Sequence, residues 1–217
     1  MGYSFGNRAS NRCAGPIVPG YGHRIGSMSE ATRVLGVAGS LRAGSFNRSL
    51  LRAAVELVPA GMDIRPFEGL GEIPPYNADV EAAGDPPPVA AWKGAIAESD
   101  AVLFVTPEYN YGVSGVLKNA FDWASRPAGK SPLNRKPAGI MGVSGGNSGT
   151  ARAQLALRQS CVFTETYAML RPEVLVPRGA EKFDAGGRLT DERTREAVRK
   201  FLEAFGLWIE RFRGPKP

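Results

Sequence analysis

A chain of 217 residues, 43% hydrophobic and 22% charged, is long enough for one well-buried core and short for two. It contains no run of about 18 apolar residues and no apolar signal core near its start, which excludes a membrane-spanning helix and leads us to expect a cytoplasmic protein. The net charge is +6, of which Arg8, Arg12 and Arg24 supply +3, and the mildly basic remainder lacks the clustered Lys, Arg and aromatic residues of a nucleic-acid surface, so no nucleic-acid partner is expected.

Residues 1–30 are rich in Gly, Ser, Asn and Arg without apolar periodicity and read as a flexible N-terminal extension, leaving residues 31–217 as one folded domain. RVLGVAG (33–39) is a short apolar strand. FNRSLLRAAVELV (46–58) carries Phe46, Leu50, Ala53, Ala54 and Leu57 at helical spacing, and MDIRPFE (62–68) is a weaker strand. VAAWKGAIAES (89–99) predicts a helix, AVLFV (101–105) a strand without a polar face, SGVLKNAFDWAS (114–125) a helix and KPAGIMGVSG (136–145) another strand. A helix over 148–162 and a strand around 168–176 follow. The last helix, 190–212, takes Thr190 as its N-cap and places Val198, Phe201, Leu202, Phe205, Trp208 and Ile209 on one face. Five strands alternating with five helices predict a doubly wound α/β domain built on a parallel sheet.

Such sheets bind ligands outside the carboxyl ends of their strands, so the loops leaving the first, third and fourth strands are the candidate site. In the first, GSLRAGSFNRSL, the hydroxyls of Ser40 and Ser45, the amide of Asn47 and the guanidinium of Arg42 stand just before a helix N-terminus, where free N–H groups and the dipole favour an anion. A plain Gly/Ser turn capping a helix would use the same residues. Neither a Walker loop nor GxGxxG is present, which favours a monophosphate over a nucleoside triphosphate. In the third-strand loop, Pro107, Glu108, Tyr109, Asn110 and Tyr111 offer a stiff backbone, a carboxylate, aromatic faces and an amide, a rim suited to a flat heteroaromatic ring. An exposed polar loop with one tyrosine packed beneath it would look similar. The fourth-strand loop, GVSGGNSGTARAQ, has glycines that admit close approach, with Ser144 and Asn147 as donors. Its GVSGG also spells the nucleophile elbow of hydrolases, but that mechanism needs a histidine after the serine, and the single histidine is His23. Cys13 and Cys161 form no CxxC, so no metal or disulfide site is expected, and Cys161 reads as a small buried hydrophobe.

GSLRAGSFNRSL, PEYNYGVSGVLKNAFDWASRP and VSGGNSGTARAQLALR resemble, in order and spacing over roughly residues 32–178, the NADPH-dependent FMN reductase family, particularly its quinone and chromate reductase branch. The resemblance implies a flavodoxin-like three-layer sandwich with a five-stranded parallel sheet of order 2-1-3-4-5, a non-covalent FMN, NADPH or NADH as co-substrate, and a homodimer or homotetramer. It implies an FMN-dependent NAD(P)H oxidoreductase acting on quinones or similar acceptors, with the chemistry carried by FMN and no catalytic side chain. Ser40, Arg42, Ser45 and Asn47 would hold the FMN phosphate, Pro107, Glu108, Tyr109 and Asn110 would line the isoalloxazine, and Ser144, Gly145 and Gly146 would approach its pyrimidine edge. Gly149 is followed by Thr150 where many members carry a second glycine. An FMN-binding electron carrier or a non-enzymatic redox sensor would share the fold; carriers of that type are strongly acidic, unlike this chain.

Overall fold

The computed structural model describes residues 31–213, so the extension expected over residues 1–30 lies outside the described residues. In chain order the elements are β1 (Thr32–Ala38), α1 (Phe46–Glu56), β2 (Met62–Pro66), α2 (Ala78–Ala83), α3 (Pro87–Glu98), β3 (Ala101–Val105), β4 (Glu108–Tyr109), β5 (Gly112–Val113), α4 (Gly115–Ala124), β6 (Pro137–Val143), α5 (Ala151–Phe163), β7 (Tyr167–Ala168), β8 (Val174–Val176) and α6 (Glu192–Glu210). The apolar runs without a polar face take the middle of the sheet, where helices cover both sides, and every residue of β3 and β6 is buried.

The sheet runs β2-β1-β3-β6-β7, with β8 also paired to β6 and every pairing parallel. This is the order 2-1-3-4-5, its fifth position filled by two short pieces. The single strand predicted over 168–176 is interrupted because Pro172 has no N–H for a ladder, and the chain leaves the sheet with Leu170 and Arg171 exposed before Val174 rejoins it.

Leu50 and Ala54 of α1 and Val198, Phe201 and Phe205 of α6 fill one face of the sheet. Trp92, Ile96, Leu117, Phe121, Trp123 and Leu157 of α3, α4 and α5 fill the other. The two fully buried indoles keep their N–H groups satisfied, Trp92 donating to the Ala120 carbonyl and Trp123 to that of Pro74, each at 2.8 Å. One local expectation changes and one element is added. Asp191, not Thr190, caps α6: its carboxylate accepts the Thr194 N–H at 2.9 Å, three residues on, where a capping side chain reaches. The segment between β2 and α3 also holds the short helix α2, started by Asn77, whose side chain accepts the Asp79 N–H.

Candidate functional site

The three loops singled out from the sequence leave neighbouring strands at the same end of the sheet. Gly39 donates its N–H to Val105 at 2.9 Å, Thr106 to Met141 at 2.9 Å, and the Ser114 hydroxyl donates to Gly39 at 2.6 Å, so the first and third loops are tied together as they start.

In the first loop Ser40 and Ser45 are nearly buried, and Ser45 is the N-cap of α1, its hydroxyl accepting the Asn47 N–H at 3.2 Å. The first turn of α1 carries no acid, so nothing opposes an anion there. Arg42 is exposed, lies 5.8 Å from the Phe46 ring and has no carboxylate partner among the described residues. Asn47 points elsewhere. It is buried, and its carboxamide donates to the Val143 carbonyl at 2.9 Å while accepting the Val143 N–H at 3.0 Å, clamping α1 to the carboxyl end of β6.

The third loop is a tight hairpin, β4 against β5, turned by Asn110 (φ 49) and Tyr111 (φ 66). Positive φ at both central residues is the geometry whose twist matches the flanking strands. Tyr109, Asn110 and Tyr111 are exposed, while Pro107 is buried beneath them. Glu108 turns inward, its side chain only 7% exposed. Thr150, at the start of α5, is in the left-handed region (φ 68) and makes no side-chain cap. Glu108 supplies the cap instead, 44 residues away in sequence, accepting the N–H of Arg152 at 2.9 Å and of Ala153 at 3.2 Å and pairing with the Arg152 guanidinium at 3.2 Å. Burial pushes this carboxyl up, but the hydrogen bonds from Ala153, Arg152 and Ser148 outweigh it and hold the group below the usual carboxylate range. The same guanidinium lies 4.0 Å from the centre of the Tyr111 ring.

In the fourth loop the Ser144 hydroxyl is bound internally, donating to Gly146 and accepting from Gly149, both at 3.0 Å. Gly145 and Gly146 are exposed, and a Cβ on either would meet nothing within 4 Å, so their backbone faces open space. Of the six non-glycine residues with positive φ among the described residues, Asn110, Tyr111, Thr150 and Arg178 lie in or against these loops, so backbone strain is concentrated at this end of the sheet.

Residues 32–181 match the model of the NADPH-dependent FMN reductase family. The chain belongs to this family. It is 49% identical over 187 residues to an NAD(P)H-dependent FMN reductase of Pseudomonas aeruginosa, covering 86% of this chain and all of the relative. It is 41% identical over 186 residues to a quinone reductase of Escherichia coli K12, covering 85% of this chain and 98% of that one. Among solved structures, FerB, the flavoenzyme NAD(P)H:(acceptor) oxidoreductase of Paracoccus denitrificans, superposes with a TM-score of 0.77 at 37% identity, covering 84% of this chain and 99% of FerB.

The residues of this FMN reductase family member fit the flavin mononucleotide. Arg42, the near-buried hydroxyls of Ser40 and Ser45 and the acid-free N-terminus of α1 could hold its phosphate, and the open backbone of Gly145 and Gly146 could approach its planar ring. The sequence reading missed the cap from Glu108 to α5 and the clamp from Asn47 to β6, because no local pattern marks a side chain whose partner is another loop. It also passed over Arg152 and Arg178; an arginine in a family-matched loop was the available signal. Elsewhere, Cys161 is buried and its thiol is pushed up to about 12 by burial, offset in part by Arg158, so native Cys161 should resist alkylation at pH 8 until the protein is unfolded. Peptide mass spectrometry after iodoacetamide treatment checks this; labelling at the rate of a free cysteine would contradict it. Among the described residues, no three His, Cys, Asp or Glu side chains converge and no helix is long and apolar enough to cross a membrane.

Proposed function

We propose that the protein is an FMN-dependent NAD(P)H oxidoreductase that passes a hydride from NADPH or NADH, by way of bound FMN, to quinones or similar acceptors. The observation that carries this is the convergence of three loops at the carboxyl end of the sheet: Arg42 and the acid-free N-terminus of α1 on the one after β1, exposed Tyr109 and Asn110 on the one after β3, and the bare backbone of Gly145 and Gly146 on the one after β6. The family match and the relatives named quinone reductases support the same activity.

Ser40, Arg42, Ser45 and the N–H groups of α1 hold the phosphate. Asn47 acts from behind, keeping β6 and its loop against α1. Pro107 stiffens the start of the third loop, and Glu108 fixes the hairpin to α5 so that Tyr109 and Asn110 stand at the ring. Ser144 shapes the turn that presents Gly145 and Gly146 to the pyrimidine edge. FMN, when bound, supplies the hydride-accepting and hydride-donating centre. The chain adds no acid or base of its own, since Glu108 is committed to α5, and protons come from solvent. Nicotinamide and acceptor would occupy the site in turn, so initial rates of NADPH against a benzoquinone should give parallel lines; intersecting lines would show that both bind together. The exposed Leu155, Val162 and Phe163 along α5 support a homodimer or homotetramer, which light scattering decides, and we place the protein in the cytoplasm with its nicotinamide co-substrate.

Arg42→Ala is expected to weaken FMN binding by roughly tenfold to a hundredfold, the effect of one charge-assisted phosphate contact, with an unchanged far-ultraviolet spectrum. Equilibrium dialysis against FMN measures it, and undiminished affinity would remove Arg42 from the phosphate site. A flavin band that bleaches on adding NADPH and returns on adding quinone, with continued NADPH consumption, separates this enzyme from an electron carrier or a sensor.

A further inference from the structure

Arg42, Arg152 and Arg178 stand on or directly beside the loops at the carboxyl end of the sheet, and the structure engages them differently. Arg152 is neutralised by Glu108 and stacked on Tyr111. Arg42 stands with the anion end of the flavin site. Arg178, directly after β8, is left over. Its N–H donates to the Gly146 carbonyl at 2.8 Å, and the next N–H, of Gly179, donates to Ser144 at 2.9 Å, so its backbone rides on the loop that presents the open glycines. It is held in the left-handed region (φ 49, ψ 57), a conformation that disfavours any residue with a Cβ. Its side chain is 61% exposed, and the carboxylate nearest to it, on Glu181, is 3.9 Å away and itself 59% exposed. A strained backbone fixed to the loop of Gly145 and Gly146 thus carries a guanidinium that solvent-screened Glu181 engages only loosely.

We propose that Arg178 selects the dinucleotide, its guanidinium receiving the 2′-phosphate of NADPH. This rests on the oxidoreductase function proposed above. NADPH differs from NADH by one phosphate dianion, and a planar guanidinium with parallel N–H donors is the side chain suited to reading it. With Arg42 assigned to the flavin phosphate and Arg152 paired to Glu108, Arg178 is the one of these three arginines left for a second phosphate.

The test uses the FMN-loaded protein, Arg178→Asn, which tolerates the left-handed backbone, and Arg178→Lys, which keeps the charge. Calorimetry should show the parent binding adenosine 2′-phosphate more tightly than adenosine 5′-phosphate. In Arg178→Asn that preference should disappear, and the ratio of kcat/KM for NADPH to that for NADH should fall roughly tenfold through KM; Arg178→Lys should recover part of both. A parent that binds the two nucleotides equally, or an Arg178→Asn variant with the parent's ratio, overturns the assignment. A parent that holds no flavin and oxidises neither NADH nor NADPH overturns the oxidoreductase function itself.

Discussion

Asn47→Ala is expected to lower the melting temperature by roughly 5–15 °C. The carboxamide is buried and both of its ends are used, one accepting the Val143 N–H and the other donating to the Val143 carbonyl. Alanine leaves those two backbone groups without their partner at the buried end of β6, and an unsatisfied buried group costs about 1–3 kcal/mol. At about 2–4 °C per kcal/mol for a chain of this length, the loss is large. Asn134→Ala is the control: that exposed amide donates to Glu165 at 3.0 Å, and its removal should change stability by less than about 0.5 kcal/mol. Thermal melts followed by circular dichroism compare the two. A drop of under about 2 °C for Asn47→Ala would show that the clamp contributes little. Because the clamp sets the fourth loop against the first, flavin content should fall with stability.

Glu108→Ala should slow turnover by about tenfold to a hundredfold, the scale expected when a positioning contact is lost and reacting groups shift by an ångström. The carboxylate joins the hairpin to the first turn of α5, so its removal frees the segment that presents Tyr109 and Asn110 and uncaps Arg152 and Ala153. Stability should fall by about 0.5–2 kcal/mol, as for other lost caps. The pH dependence has a definite sign. The folded carboxyl is held below its unfolded value, so its stabilisation is complete above the ordinary glutamate value of about 4.3 and is lost as pH falls through the lowered folded value. Glu108→Gln, which keeps an acceptor but cannot ionise, should therefore be less stable than the parent at pH 5–8, roughly, and approach it as the pH drops below about 4. A stability gap that stays constant from about pH 3 to 7 would show that the charge on Glu108 is not what secures α5.

The strand–helix alternation was legible in the chain because a parallel sheet covered on both faces demands continuous apolar strands, and VLGV, AVLFV and AGIMGV can be little else. The meeting of the candidate loops followed from the same pattern, since the loops after β1, β3 and β6 must lie together at the carboxyl end of a sheet so ordered. The family was legible in the loop sequences, and residues 32–181 match it. Tertiary structure decided what individual side chains in those loops do. Asn47 sits in a run that looks made for phosphate, yet its partner is 96 residues away; Glu108 sits in a run that looks made for a ring, yet it caps a helix 44 residues away. A backbone N–H or carbonyl left open at a strand or helix end must be satisfied by whatever polar side chain packing brings within about 3 Å. Composition and periodicity constrain the ends of elements one at a time, whereas the choice of partner depends on how two such ends are placed against each other.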